Sequence, residues 1–230
     1  MIPIRDENPT RSFPLATVVL IALNIAVFLY ERSLDPASLQ TFLARFALVP
    51  SRVLSAPLTT VAIASVFTSM FLHAGWLHVL GNMLYLWIFG NNVEDRMGTA
   101  AFVGFYLAAG AAAALAQVAA TGPVDIPVVG ASGAVAGVLG AYLVLYPGAT
   151  VVTLIPVFFF LEVARLPAFL VIGFWFLLQL GNGVASLGAQ VAGGGVAWFA
   201  HIGGFLAGAA AALVVRATQR KRRSGYYGWY

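Results

Sequence analysis

The sequence has no cysteine and very little charge. Only 9% of its 230 residues are charged and 61% are hydrophobic, whereas roughly 25% of the residues in a soluble globular domain are charged. Without cysteine, neither a disulfide framework nor a thiolate metal site can form. Between Met97 and Val215 the charged side chains are Asp125, Glu162 and Arg165. This part of the chain must therefore lie in lipid or be buried in protein, and the composition predicts a membrane protein.

The few basic residues are clustered near the end of the chain. The formal net charge is +4, and five basic residues follow the last apolar segment: Arg216, Arg220, Lys221, Arg222 and Arg223. Such a cluster is typical of a cytoplasmic membrane anchor and argues against a nucleic-acid partner.

Six apolar windows are candidates for membrane-spanning helices, for which roughly 20 residues are needed. They cover residues 14–30, 76–93, 100–120, 132–146, 168–184 and 196–215. An even number of spans puts both termini on one side, and the basic cluster predicts that this side is the cytoplasm. We therefore expect a cytoplasmic N-terminus over residues 1–12, one six-helix domain over 13–216, and a basic and aromatic cytoplasmic tail over 217–230.

Two connections are too polar or too short to span the bilayer. Residues 31–75 contain three prolines between short apolar stretches, which predicts short amphipathic pieces at the outer interface. Residues 151–161 are apolar but cover only about half a span and include Pro156, so we expect an interfacial or partly re-entrant segment there.

Polar residues inside the spans are few, and each is a candidate for function because burial in lipid is costly. Those that we single out are His78 and Asn82 in the second span, Ser132 at the start of the fourth, and His201 near the start of the sixth. With the predicted topology, all four lie in the early turns of their helices on the outer side. His78 and Asn82 are four residues apart and share one helix face.

Glycines on the fourth and sixth spans predict that these two helices pack closely. Gly133, Gly137 and Gly140 follow Ser132, and Gly204 and Gly208 follow His201. Small residues at this spacing let membrane helices approach backbone to backbone. We therefore expect Ser132 to come within hydrogen-bonding reach of His201.

A serine and a histidine in contact supply the minimum for nucleophilic catalysis, because the imidazole removes the hydroxyl proton. Candidate donors to the resulting oxyanion are the Ser132 backbone amide, the Asn82 side-chain amide and the His78 imidazole. The preceding loop is rich in glycine and proline, which predicts irregular backbone lining a wet cavity within the membrane.

Three segments resemble the bacterial rhomboid proteases: TSMFLHAGWLHVLGNMLYLWIFGNNVEDRMG at 68–98, Gly-Ala-Ser-Gly at 130–133, and Ala-His-Ile-Gly-Gly at 200–204. The likeness covers nearly the whole chain, including PIRDENPT and TLIPVFFF. It implies an all-α polytopic membrane protein with a six-helix rhomboid-like bundle, located in the bacterial inner membrane. It also implies an intramembrane serine endopeptidase that cuts single-span membrane proteins near the outer face without a metal or a cofactor.

By this resemblance Ser132 is the nucleophile and His201 its base. His78 and Asn82, with Gly130 and Ala131, are expected to form the oxyanion and substrate-binding site. His73 matches a further family histidine, for which we expect a structural or water-positioning role. Many family members have an aromatic residue four positions after the nucleophile, where this chain has Ala136, so His201 must be supported from elsewhere.

Four other functions fit the sequence less well. A transporter would show repeated halves and broken helices at the midplane, and an inactive rhomboid relative that only binds membrane clients would usually lack the serine or the histidine. A metalloprotease would need the H-E-x-x-H pattern, which this sequence lacks. An α/β-hydrolase would need the G-x-S-x-G pattern, and residues 130–134 do not fit it.

The catalytic histidine is expected to work without a carboxylate. Asp125 is the one acid in the second half of the chain on the outer side, and desolvating it beside His201 would be costly. For the substrate we expect access between the second and fifth spans, gated by the loop 186–195, whose glycines allow movement.

Overall fold

The computed structural model describes residues 1–157, 159–186 and 196–226 and contains nine α-helices in these ranges. In chain order the helices are α1 (Leu15–Ser33), α2 (Pro36–Phe46), α3 (Pro50–Ser55), α4 (Thr60–Thr68), α5 (Trp76–Met97), α6 (Thr99–Thr121), α7 (Ser132–Leu145), α8 (Ala168–Ser186) and α9 (Trp198–Tyr226). A 3-10 turn, Ser69–Phe71, follows α4. The strands β1 (Ile2–Asp6), β2 (Thr150–Val157) and β3 (Phe160–Pro167) form one antiparallel sheet in the order β1-β2-β3.

Each of the six predicted spans coincides with a helix of the bundle. The helices α1, α6 and α8, with the residues Trp198–Thr218 of α9, are long and apolar enough to cross a membrane alone. Helix α5 meets this test together with α4 and the 3-10 turn, as a pair bent by 83°. Helix α7 has only 14 residues, which is about 21 Å. The protein is thus a mostly helical, multi-pass integral membrane protein.

Helix α7 lies at the centre of the bundle, packed against α5, α6, α8 and α9. Its residues from Gly133 to Tyr142 are all buried, so it has no lipid-facing stripe. The residues are apolar all round, as expected for a helix enclosed by other helices. Among the largest fully buried side chains are Tyr106, Tyr142, Phe28, Phe89 and Phe102.

The predicted glycine contact between α7 and α9 is confirmed. A Cβ added at Gly204 would overlap the backbone carbonyl of Gly133, and one added at Gly208 would overlap that of Gly137. The two backbones are therefore in direct contact along successive turns, as in other small-residue helix pairs in membranes. This contact places the first turn of α9 beside the first turn of α7.

The short helices α2 to α4 occupy the connection in which short amphipathic pieces were expected. Asp35 caps α2 by accepting hydrogen bonds from the backbone amides of Ala37 and Ser38. The extended segment before α7 is tied to this region, because Leu48 and Val128 exchange two backbone hydrogen bonds of 3.1 and 2.7 Å. The loop that precedes Ser132 is therefore held by the helices of the first connection.

At the opposite end of the bundle a buried carboxylate joins three helices. Glu94, near the end of α5, accepts hydrogen bonds from the backbone amides of Ala16 and Thr17 at the start of α1. It also accepts one from the Thr99 hydroxyl at the start of α6. Since amides of a helix N-terminus favour a negative partner, Glu94 fixes these three helix ends together.

Residues 151–157 and 160–161 belong to the hairpin of β2 and β3, so the expectation of a re-entrant segment was wrong, whereas the interfacial location stays a prediction. Four consecutive β-branched residues at the start of β2, Thr150 to Thr153, favour a strand, and β2 finds a partner in β1, about 150 residues earlier. The N-terminal segment, for which only a cytoplasmic location was expected, supplies β1. Burial raises the pKa of Asp6 in β1, and the hydroxyl of Tyr142 donates a 2.7 Å hydrogen bond to its carboxylate.

Candidate active site

Ser132 and His201 meet where α7 and α9 begin. Ser132 is the first residue of α7 and His201 lies in the first turn of α9. The distance from Ser132 Oγ to His201 Nε2 is 2.8 Å, which is a normal hydrogen bond for these atoms. His201 is buried, whereas Ser132 is partly exposed. This is the contact that the two glycine stripes predicted.

The orientation of the His201 ring is set by Gln179 on α8. The Gln179 side-chain amide nitrogen donates to the carbonyl oxygen of Trp175, so its Oε1 is the atom that faces His201. An oxygen can only accept, and the 2.7 Å contact from Nδ1 to Oε1 therefore requires a proton on Nδ1. Nε2 is then the unprotonated nitrogen and accepts a hydrogen bond from the Ser132 hydroxyl.

Two tryptophans provide the aromatic support that Ala136 cannot give. The Trp175 ring lies 5.8 Å from the His201 ring, centroid to centroid, at 36°. The Trp198 ring stands edge-on to it at 6.2 Å and 88°. The start of α9 is also fixed from α6, because the Gln117 side-chain oxygen accepts the backbone N–H of Ala200 at 3.1 Å.

Gly130 and Ala131 form the approach to Ser132. Gly130 has a φ of 128°, a conformation that favours glycine. A Cβ at this position would lie 2.6 Å from His78 Nε2 and 3.6 Å from Ser132 Oγ, so the missing side chain leaves room between these two groups. Ala131 is fully buried and forms the N-cap of α7.

Asn82 is held by a histidine outside the helices. Its amide nitrogen donates to Nε2 of His73 at 3.0 Å, and both residues are buried. The backbone N–H of His73 in turn donates to the carboxylate of Glu31 at the end of α1. The second Glu31 oxygen and Nδ1 of His73 are buried and have no hydrogen-bond partner. Glu31 and His73 are among the residues that line a cavity of about 470 Å³. His73 thus connects α1 to the Asn82 side chain.

Asp125, the acid considered as a possible partner of His201, bonds elsewhere: it accepts a hydrogen bond from the Ser51 hydroxyl. The two ring nitrogens of His201 bond to Gln179 and Ser132. Within the described residues, no group of three or more His, Asp or Glu side chains is arranged to hold a metal ion.

A small cavity adjoins the serine. Its volume is about 30 Å³ and its walls include Ser69, Gly130, Ser132 and Ala200, which is room for a water molecule. Because α7 is about 21 Å long and a bilayer core is about 30 Å thick, Ser132 lies roughly 10 Å below one membrane surface if the other end of α7 reaches the opposite surface.

Sequence reasoning missed Gln179, Trp175 and Gln117. Gln179 and Gln117 are glutamines within apolar spans, and the rule that selected His78 and Asn82 would have selected them as well. The gate expected at 186–195 lies outside the described residues, except for Ser186. Substrate access was expected between the second and fifth spans, which are α5 and α8. Helix α8 packs against α7 and α9, and helix α5 packs against α1, α6 and α7.

Comparisons with known proteins agree with the resemblance. The rhomboid domain model matches residues 62–218. Rhomboid protein 1, mitochondrial, of Saccharomyces cerevisiae is 28% identical over 72% of this chain and 41% of its own length. The mouse presenilin-associated rhomboid-like protein, mitochondrial, is 33% identical over 61% of this chain and 36% of its own. Rhomboid protease GluP of Bacillus subtilis is 41% identical over 33% of this chain and 14% of its own. The chain thus spans about two fifths or less of the length of these relatives.

Proposed function

This chain belongs to the rhomboid family, and on that premise we propose that it is an intramembrane serine protease, with Ser132 as nucleophile and His201 as general base. The observation that carries the proposal is the 2.8 Å hydrogen bond from Ser132 Oγ to His201 Nε2. A hydroxyl becomes an effective nucleophile when a positioned base takes its proton. Serine and histidine at this distance, in a family that includes proteases, favour peptide hydrolysis over client binding alone.

The reaction begins when Ser132 Oγ attacks the carbonyl carbon of the substrate peptide bond and its proton passes to His201 Nε2. The resulting imidazolium then gives this proton to the leaving amine, and the C–N bond breaks to leave an acyl-serine. A water molecule, activated by the same imidazole, hydrolyses the ester and restores Ser132. Throughout, Gln179 Oε1 accepts a hydrogen bond from Nδ1–H of His201 and so keeps Nε2 directed at the serine.

The oxyanion is stabilised by donors near the N-terminus of α7. Asn82 uses one amide N–H to bond His73, so its second N–H is free for the oxyanion. His78 and the backbone amide of Ser132 are the other donors. Gly130 and Ala131 line this space, and the positive end of the α7 dipole adds to the stabilisation.

The substrate is a single-span membrane protein whose backbone unwinds near the outer face, because a protease must receive an extended peptide bond. It reaches Ser132 from the lipid between α5 and α8, and the loop 186–195 gates this path. We further propose a bacterial inner membrane, from the resemblance to bacterial rhomboid proteases. The basic residues that follow the last span support a cytoplasmic location for both termini.

The proposal is tested with the purified full-length chain in proteoliposomes that contain a model single-span substrate. Wild-type protein is expected to release two fragments, and Ser132→Ala is expected to release none while keeping the same helicity and elution volume. Cleavage that persists in pure Ser132→Ala would exclude this serine as nucleophile. An intact substrate that binds both proteins equally would favour an inactive, client-binding rhomboid.

A further inference from the structure

The hairpin of β2 and β3 ends in an exposed apolar tip. Residues 157–161 carry no charge and include three consecutive phenylalanines. Phe159 is 99% exposed, Phe160 71% and Leu161 66%. Exposed apolar surface of this density, outside the membrane spans, marks an interaction site more often than a free surface.

The base of the same hairpin is firmly attached to the protein. Thr153 in β2 is fully buried, and β2 pairs with β1 along one edge. On β3, Arg165 Nε lies 3.0 Å from the carboxylate of Glu7, which also lies 3.6 Å from Arg5. An anchored base, which carries the ion pairs of Glu7 with Arg5 and Arg165, thus holds an apolar tip whose position is set by the fold.

The hairpin leaves the bundle where two membrane helices end. Helix α7 leads into β2, and β3 leads directly into α8. Backbone hydrogen bonds from Ala168 to Ala149 and from Phe169 to Pro147 close the base against these helix ends. Phe169 and Leu170 in the first turn of α8 are 51% and 46% exposed, so lipid-facing surface begins directly at the hairpin.

Both faces of the tip are apolar. Successive residues of a strand point to opposite faces, and Phe160 and Leu161 are neighbours that are both more than half exposed. A docked protein would cover one face of the hairpin, whereas lipid surrounds both. Aromatic side chains are also enriched where a membrane meets water.

We propose that the exposed tip residues Phe159, Phe160 and Leu161 insert into the lipid interface on the side of the membrane that holds the N-terminus, and anchor the junction of α7 and α8 there. The partner is the bilayer itself, with the phenylalanines at the boundary between headgroups and acyl chains. This anchoring does not depend on the proposed protease activity, and its test uses no activity measurement.

The absence of cysteine allows single-cysteine variants without any background. Phe159→Cys carries an environment-sensitive fluorophore in nanodiscs of phosphatidylcholine and phosphatidylglycerol, with or without doxyl-labelled lipid. Phe169→Cys is the lipid-facing control. Thr10→Cys, exposed in the polar segment at the same end of the bundle, is the aqueous control. We expect the label at position 159 to behave like the label at 169, with blue-shifted emission and quenching by doxyl lipid. The label at position 10 should show neither effect.

Phe160→Cys and Leu161→Cys test the two faces of the hairpin separately. They also leave Phe159 unchanged, so the test remains possible if replacing Phe159 disturbs folding. Both labels are expected to be quenched by doxyl lipid. A label at 159 that behaves as at position 10 would overturn the proposal. So would blue-shifted labels that doxyl lipid does not quench, since these would indicate coverage by protein.

Discussion

Replacing Gln179 should slow catalysis without weakening substrate binding. Gln179→Met keeps the length and approximate volume of the side chain but removes the acceptor that lies 2.7 Å from His201 Nδ1. The ring then loses the partner that holds its proton on Nδ1, and the buried N–H is left unsatisfied. Trp175 and Trp198 still confine the ring, so the site should remain folded.

The size of the effect follows from the change in charge on His201. In the resting enzyme the hydrogen bond joins neutral His201 to Gln179, and bonds between neutral groups contribute about 0.5–1.5 kcal/mol. In the transition state His201 is a cation, and hydrogen bonds to charged groups contribute about 1.5–3 kcal/mol. The difference of about 1–1.5 kcal/mol corresponds to roughly a tenfold decrease in kcat. KM should not change, because the lost interaction is stronger in the transition state than in the bound substrate complex.

The assay is steady-state cleavage of a fluorogenic single-span substrate in proteoliposomes, with kcat and KM measured separately. Leu178→Met, an exposed neighbour on the same helix, is the matched control and should behave as wild type. Gln179→Glu retains an acceptor for Nδ1–H and should recover part of the lost kcat. The assignment fails if kcat of Gln179→Met equals that of wild type, or if KM rises while kcat is unchanged.

Three further predictions concern the oxyanion donor Asn82, the acid Asp125 and the membrane topology. Asn82→Ala should lower kcat about 100-fold, by analogy with loss of a side-chain oxyanion donor, and unchanged turnover would mean that Asn82 only packs. Asp125→Asn should keep most of the activity, because Asp125 bonds to Ser51, and a folded Asp125→Asn protein as inactive as His201→Ala would indicate a triad. A metal chelator should not inhibit, because the proposed dyad uses no metal in place of the acid. A reporter fused after the last residue should be active in the cytoplasm, and activity only on the other side would reverse the topology.

Local signals were sufficient to predict the helices and the central pair of the site. The apolar windows located the six bundle helices, because a span must be long and nearly uncharged. The glycines of α7 and α9 predicted which two helices touch, since only small residues permit backbone contact. Ser132 and His201 follow from this contact, as each stands at the start of one of these helices.

Contacts between distant segments could not be predicted in the same way. The pairing of β1 with β2 joins residues about 150 positions apart, and neither strand has a period that a membrane-span search would detect. The bond between Gln179 and His201 depends on the rotation of α8 against α9, which no spacing within α8 reveals. The same holds for Glu31, whose partner is a backbone amide in another segment.

The central claim is that His201 activates Ser132 as a nucleophile, and covalent labelling tests it most directly. Full-length protein in lipid is treated with a fluorophosphonate, which reacts with activated serines, and the modified residue is located by mass spectrometry. We predict modification at Ser132 in wild type and none in folded His201→Ala or Ser132→Ala protein. Equal labelling of Ser132 in His201→Ala, or labelling at another serine in an active wild-type sample, would contradict the account.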